Sequence, residues 1–311
     1  MARKSIQHEC LRYAVYHAPR GKPRLLELGN VIQQRYLAPK DQLIGIIGEA
    51  GTGKSSVIRG MFPGLELTNE DDGVNVRPVP LLRMYNEGKF TSHTYHIDIR
   101  FEQAFVQLYE IAEAIKAALK QEKRIIIEHF DIIYPALKIN AEVLIGIGEE
   151  IIVTRPDVFG PLPEDVRKLI EGTAVFRRMA HSAEDLTSSI LEKDYGFKHP
   201  LLHRDVKRGF VIEFEEKPEN LKLDELENKV KDIINKGVDI NYLDESHIQM
   251  GDFSYHCTGP RIHVKNSSEI KNFRLQKNIY FDEISSTYCL VGLVGEAVEG
   301  SGTRKEELKL F

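Results

Sequence analysis

Eight consecutive residues carry the sharpest chemical signal in this chain: Gly48-Glu49-Ala50-Gly51-Thr52-Gly53-Lys54-Ser55. They follow the pattern G-x-x-x-x-G-K-S/T, with a short apolar run before them and a helical pattern after. Glycines suit a loop that turns its backbone N–H groups around an anion, where Cβ atoms have no room. The following helix adds the positive end of its dipole. Lys54 is then the point charge for the β- and γ-phosphates, and the Ser55 hydroxyl is a ligand for Mg²⁺. The expected ligand is a nucleoside triphosphate, taken as ATP with Mg²⁺. Such a loop needs acids on neighbouring strands to complete the metal site. Asp98, in the segment YHIDIR, and Glu128, closing RIIIE, are the candidates. Either could hold the metal directly or through water, and either could orient an attacking water. The plainer alternative for each is a solvated acid at a strand end.

A second group of possible ligands lies in the later part of the sequence: His181, Asp185, His199, His203, His256, Cys257 and His263. On a helix, His181 and Asp185 stand one turn apart on one face and could chelate one ion. His199 and His203 share that spacing, but Pro200 between them disfavours a helix. Cys257 and His263 bracket a Thr-Gly-Pro turn that could fold both toward one point. Each pair by itself is equally readable as scattered surface or core residues.

The elements that must position these residues fall into two patterns. Up to about residue 160, short apolar runs alternate with helical ones, which predicts an α/β sheet. Strands are expected at 43–47, 79–84, 94–99, 124–128, 142–147 and 151–153. A helix is expected over 102–120, with Phe105, Leu108, Ile111, Ile115 and Leu119 on its packed face. Gly160-Pro161-Leu162-Pro163-Glu164-Asp165 reads as a break and a helix start, so the boundary is placed there: 1–160 and 161–311. Beyond it, helices at 174–191 and 223–236 and strands at 210–214, 253–256, 262–264 and 273–275 make an α+β pattern. The acidic turn at Asn69-Glu70-Asp71-Asp72-Gly73 is expected to be solvated.

The chain has 311 residues, 42% hydrophobic and 29% charged, with a formal net charge of −5. That charge gives no global basic field, so nucleic-acid contact would need a local patch. No apolar run approaches the roughly 20 residues that span a bilayer. Three scattered cysteines (Cys10, Cys257, Cys289) make no disulfide framework, and no signal-type stretch follows the N-terminus, so a cytoplasmic protein without membrane partners is expected.

The first half resembles a known family, the small ATPase of the bacterial tRNA threonylcarbamoyladenosine modification system. The resemblance covers about residues 25–155. It runs from Leu26-Glu27-Leu28-Gly29-Asn30-Val31 through GEAGTGKS, then VPLLRMY, YHIDIR and IIIEHF. It implies a P-loop nucleotide hydrolase, with Lys54 and Ser55 on phosphate and Mg²⁺ and with Asp98 and Glu128 serving the metal and the water. His129 stands where that family has Trp, and VRPVPLL lacks an evident switch Thr. The second half is similar to the second additional (editing) domain of alanyl- and threonyl-tRNA synthetases, over about 174–295. MAHSAEDL, residues 206–214, the 223–236 helix and HVKNSSEIKNF carry that likeness. It implies Zn²⁺ held by an H-x-x-x-H helix and a later C-x-x-x-H, and hydrolysis of mischarged aminoacyl-tRNA. Here His181 takes the first ligand position, Asp185 stands where the second His belongs, and Cys257 and His263 follow at a longer spacing.

Together the two likenesses imply an ATP-binding and hydrolysing α/β P-loop domain followed by an α+β editing-like domain, acting in tRNA modification or quality control on tRNA or aminoacyl-tRNA. Lys198, Arg204, Lys207, Arg208, Arg261, Lys265, Lys271, Arg274 and Lys277 would be the residues to contact it. A zinc-dependent trans-editing deacylase regulated by ATP is the second reading. A nucleotide-switched, non-catalytic binding module is the third.

Overall fold

The computed structural model describes residues 11–67, 80–198, 202–259 and 261–296. They form two compact units: residues 11–16 with 24–171, and residues 17–23 with the chain from Gly172 onward.

In the first unit a six-stranded sheet has the order β1-β6-β5-β2-β4-β3. These strands are β1 (Ala14–His17), β2 (Leu43–Gly48), β3 (Thr94–Asp98), β4 (Arg124–Glu128), β5 (Val143–Ile147) and β6 (Glu150–Thr154). β2, β3, β4 and β5 run parallel, while β6 is antiparallel to β5. Runs such as LIGIIG and RIIIE are buried along nearly their whole length, as strands covered on both faces must be. Helices α1 (Lys22–Tyr36), α2 (Lys54–Met61), α3 (Pro80–Asn86), α4 (Ile99–Glu102), α5 (Leu108–Lys120), α6 (Phe130–Leu137) and α7 (Pro163–Ile170) complete the unit. α1 and α2 meet backbone to backbone: a Cβ on Gly29 would lie 2.3 Å from the Val57 carbonyl oxygen, and one on Gly60 would lie 2.1 Å from that of Leu26.

Three expectations give way here. The apolar stretch at 79–84 is not a strand: from Pro80 it is helix α3, and Val79 lies outside the described residues. Proline fits a first helical turn, where its missing N–H is no loss. The helix expected over 102–120 is two helices, α4 and α5. Between them Phe105 is exposed, and the Gln107 N–H donates to the Glu110 carboxylate at 3.4 Å to open α5. The break read at 160 precedes α7, but Val166 and Ile170 of α7 are buried in the first unit's core. The acidic turn at 69–73 and Cys10 lie outside the described residues.

The second unit packs α8 (Ala174–Tyr195) and α9 (Leu223–Lys236) on antiparallel sheets. One has the order β12-β14-β8-β7, with β13 also paired to β14; the other is β11-β10-β9. Their strands are β7 (Leu202–Val206), β8 (Gly209–Phe214), β9 (Ile240–Asp244), β10 (His247–Met250), β11 (Phe253–His256), β12 (Arg274–Leu275), β13 (Tyr280–Asp282) and β14 (Thr287–Leu293). α9 has the bounds expected from its apolar spacing, burying Leu226, Val230 and Ile234 and ending at Gly237. Residues 262–264 form no strand. The Val264 N–H donates to Ser182 Oγ of α8 at 3.0 Å instead of to a sheet partner. No helix among the described residues is long and apolar enough to cross a membrane.

Candidate functional site

Two clusters of chemically able side chains form, one in each unit. In the first, β2 delivers Gly48 to the C-terminal edge of the sheet, and residues 49–53 turn the chain into α2. Gly51 (φ 74°) and Gly53 (φ 87°) adopt left-handed backbone that a side chain would oppose. Thr52 Oγ1 donates to the Glu49 carbonyl at 2.9 Å, tightening the turn. Lys54 is buried, and its ammonium lies 3.0 Å from the Glu49 carbonyl oxygen and 3.6 Å from Glu128 Oε2. The Ser55 hydroxyl lies 3.2 Å from Glu128 Oε1.

The strand register explains why the acids arrive there. β4 pairs with β2 so that Glu128 is opposite Ile46, and β3 pairs with β4 so that Asp98 is opposite Glu128. Both acids therefore end parallel strands at the edge where ligands bind in such sheets. Asp98 also caps α4, accepting the Phe101 N–H at 3.2 Å. Asp98, Glu128 and His129 each bring a donor atom within 4.8 Å of the others. His96, which the sequence did not flag, lies with Nε2 3.2 Å from Glu128 Oε1. It sits two residues before Asp98, on the same face of β3. Burial pushes the Glu128 carboxyl up, but the His96 hydrogen bond and the charges of His96, Lys54 and His129 outweigh it and hold the carboxyl below its ordinary range. Burial and then Lys54 push the His129 imidazole below its ordinary range, against the pull of Asp98 and Glu128.

In the second unit His181 and Asp185 stand one turn apart on α8, Cys257 follows β11, and His263 lies in the loop after it. Their donor atoms converge. His181 Nε2 lies 3.3 Å from Cys257 Sγ and 3.8 Å from Asp185 Oδ2. His263 Nε2 lies 3.9 Å from Cys257 Sγ and 2.9 Å from Asp185 Oδ2. Four ligands at tetrahedral zinc distances would lie roughly 3.3–3.6 Å apart, so these separations straddle the required value. A carbonyl only accepts, so the 3.0 Å contact of His181 Nδ1 with the Ile262 oxygen fixes the proton on Nδ1 and leaves the Nε2 lone pair facing the cluster. Burial, and then His263, pushes the His181 imidazole down to about 3, which keeps it neutral. Burial pushes the Cys257 thiol well up, with the Asp185 charge adding to it, so a metal ion must displace its proton. The donor set, two imidazoles, a carboxylate and a thiol, fits Zn²⁺.

The other sequence candidates stand elsewhere. His256 is exposed on β11, where strand alternation sends it to the face opposite Tyr255 and Cys257, and its ring lies 5.5 Å from that of His247. His203 on β7 meets Glu184 at 2.9 Å, not the four-donor cluster. His199 and Pro260 lie outside the described residues. Several of the basic residues are engaged within the unit. Arg204 pairs with Glu213 and, at 2.7 Å, with Asp282; Arg274 donates to the Asn272 and Gly295 carbonyls; Arg208 stacks 3.9 Å over Phe176.

Sequence reasoning missed the bracing of this cluster. Residues 17–23 belong to the second unit, and buried Arg20 grips Glu184, the neighbour of Asp185, through two contacts at 2.8 and 3.0 Å. Arg20 also meets Asp205 at 2.7 Å, and Arg177 donates to the Pro19 carbonyl. The Lys22 N–H donates to the Thr258 carbonyl at 2.8 Å, beside Cys257. A Cβ on Gly259 would lie 1.9 Å from the Arg20 carbonyl oxygen and 3.1 Å from His181 Cε1. Arg20 and Glu184 are 164 residues apart, so no local pattern announces the pair. No protein-family model matches the chain, and no curated protein matches it significantly.

Proposed function

We propose that the first unit is a P-loop ATPase domain that binds ATP with a divalent cation through Gly48–Ser55, and that it works with an editing-like second unit in tRNA modification or quality control. The observation that carries the nucleotide reading is the meeting of Lys54, Ser55 and Glu128 beneath a turn with two left-handed glycines. In this reading Lys54 leaves Glu128 for the phosphates, Ser55 and an acid hold the metal, and Asp98 or Glu128 orients the attacking water. Titration calorimetry of the full chain with ATP and Mg²⁺ tests it: binding in the micromolar range is expected, and no heat at millimolar ATP would overturn it. Glu128→Gln and Asp98→Asn are expected to lower the hydrolysis rate far more than the affinity.

The second unit is read as a zinc centre of His181, Asp185, Cys257 and His263, and the meeting of four donors from three segments favours it. Zinc would supply a Lewis acid, and the chain's own part is to hold it through two imidazoles, of which His181 is oriented from outside the ligand set by the Ile262 carbonyl. The tRNA assignment rests on the resemblance of this half to editing domains. A trans-editing deacylase regulated by ATP is the second reading, and release of amino acid from mischarged tRNA by the purified protein distinguishes it. A protein that holds no zinc and retards no tRNA in a gel would leave the third reading, a nucleotide-switched binding module.

A further inference from the structure

His129 has a conformation and a position that phosphate binding does not require. It follows Glu128 at the end of β4, and in an extended strand the two side chains would point to opposite faces. Instead its backbone is left-handed, at φ 59°, where it forms the N-terminal cap of α6. That conformation is one a residue with a Cβ rarely adopts. It breaks the strand alternation, and the ring ends up with a nitrogen within 4.8 Å of carboxylate oxygens of both Asp98 and Glu128. All three residues are buried. The carboxylates are held by adjacent strands in register, and His96 Nε2 lies 3.2 Å from Glu128 Oε1.

We infer that Asp98, Glu128 and His129 form a mixed oxygen–nitrogen centre for a first-row divalent transition ion, so that the nucleotide site takes Mn²⁺ in preference to Mg²⁺. Mg²⁺ prefers oxygen ligands, keeps its waters and gains little from an imidazole. An imidazole beside two carboxylates suits the transition ions, which rise in affinity from Mn²⁺ onward. Lys54, 3.6 Å from Glu128 Oε2, opposes a cation at this place. A triphosphate would draw that ammonium away and add its own oxygens to the metal, so ion and nucleotide reinforce each other. The nucleotide part of this inference rests on the phosphate-loop reading; the ligand set itself does not.

Manganese is the probe, because the thiol-containing cluster of the second unit favours softer ions. Calorimetry of the full chain should show ATP binding at least about tenfold tighter with Mn²⁺ than with Mg²⁺, and His129→Asn should reduce that ratio by about tenfold. Asparagine tolerates the left-handed backbone, and His129→Gly is the second variant if the first does not fold. Pulsed electron paramagnetic resonance of bound Mn²⁺ should show a nitrogen coupling that both variants lose. An equal ratio in wild type and variant, or no nitrogen coupling in the wild type, overturns the inference. If ATP binds with neither ion, the phosphate-loop reading fails. Mn²⁺ titrated alone then decides the centre: a nitrogen-coupled signal lost in His129→Asn supports it, and no binding at millimolar Mn²⁺ overturns it.

Discussion

The two clusters are assembled in opposite ways. In the first unit one short segment supplies most of the chemistry: residues 48–55 turn on their own glycines, and parallel strands in register bring two acids to meet them. In the second unit no segment holds more than two of the donors, and the four meet only because α8, the end of β11 and an irregular loop pack together. The first cluster has an exposed loop at its rim, whereas the second is walled in by a further segment through Arg20. A site built locally can lose a functional group with the fold intact. In a site built from distant segments, ligands and structural supports are the same residues, so binding and stability change together.

Cys257→Ser tests that coupling with the largest effect. A structural zinc site gains about 10–16 kcal/mol from four ligands, so loss of the thiolate should weaken Zn²⁺ binding by roughly a thousandfold. Competition with a chromogenic chelator measures this, and thermal unfolding should show the zinc-dependent stabilisation disappearing with it. Lys54→Ala is the counterpart in the first unit. Charged hydrogen bonds contribute about 1.5–3 kcal/mol each, so ATP affinity should fall on the order of a hundredfold. The unfolding midpoint without nucleotide should stay within a degree or two. A matching loss of stability would erase the proposed contrast.

Gly259→Ala sharpens it at a residue that supplies no ligand but whose N–H donates to Cys257 Sγ at 3.3 Å. Its new Cβ would meet the Arg20 carbonyl and crowd His181, and overpacking of this kind costs about 2 kcal/mol. Denaturant unfolding measures the loss, and zinc affinity should fall alongside it. The smallest effect concerns pH. Burial pushes the Glu184 carboxyl up, but Arg20 and His203 outweigh it and hold it well below its ordinary value of 4.5. A depressed carboxyl stabilises the fold fully above the unfolded value and loses that contribution as pH falls toward the folded one. Stability should therefore drop by about 1 kcal/mol between roughly pH 4.5 and 3.5, and Glu184→Gln should flatten that part of the curve.

The same contrast governs what could be read from the sequence. The glycine loop, the runs LIGII and RIIIE and helix α9 are legible because their causes are local: glycine conformation, continuous burial and a 3.6-residue apolar period. The four donors of the second unit were reached from an i,i+4 pair and a turn, together with a family likeness, and the structure brings those same four together. What escaped depends on tertiary partners. The run at 79–84 is apolar enough for a strand or a helix. Ile262 and Val264 look like strand residues, but α8 supplies partners to both: His181 Nδ1 donates to the Ile262 carbonyl and Ser182 Oγ accepts the Val264 N–H. His96 and His129 lie inside recognised segments without a role read for them, and Arg20 carries no motif; their roles exist only once strands and segments are paired.

Arg20 also has a consequence for how the protein can be cut and in what order it folds. During synthesis residues 17–23 emerge first, yet Glu184 and Asp205 follow only after the entire first unit has been made. Contacts of such long sequence separation form late and slowly. A fragment beginning at Gly172 would bury two carboxylates without the guanidinium between them, an omission that costs several kcal/mol. Supplying a peptide of residues 17–23 to that fragment would then be a complementation assay: the second unit should regain stability only when both strands of its history are present.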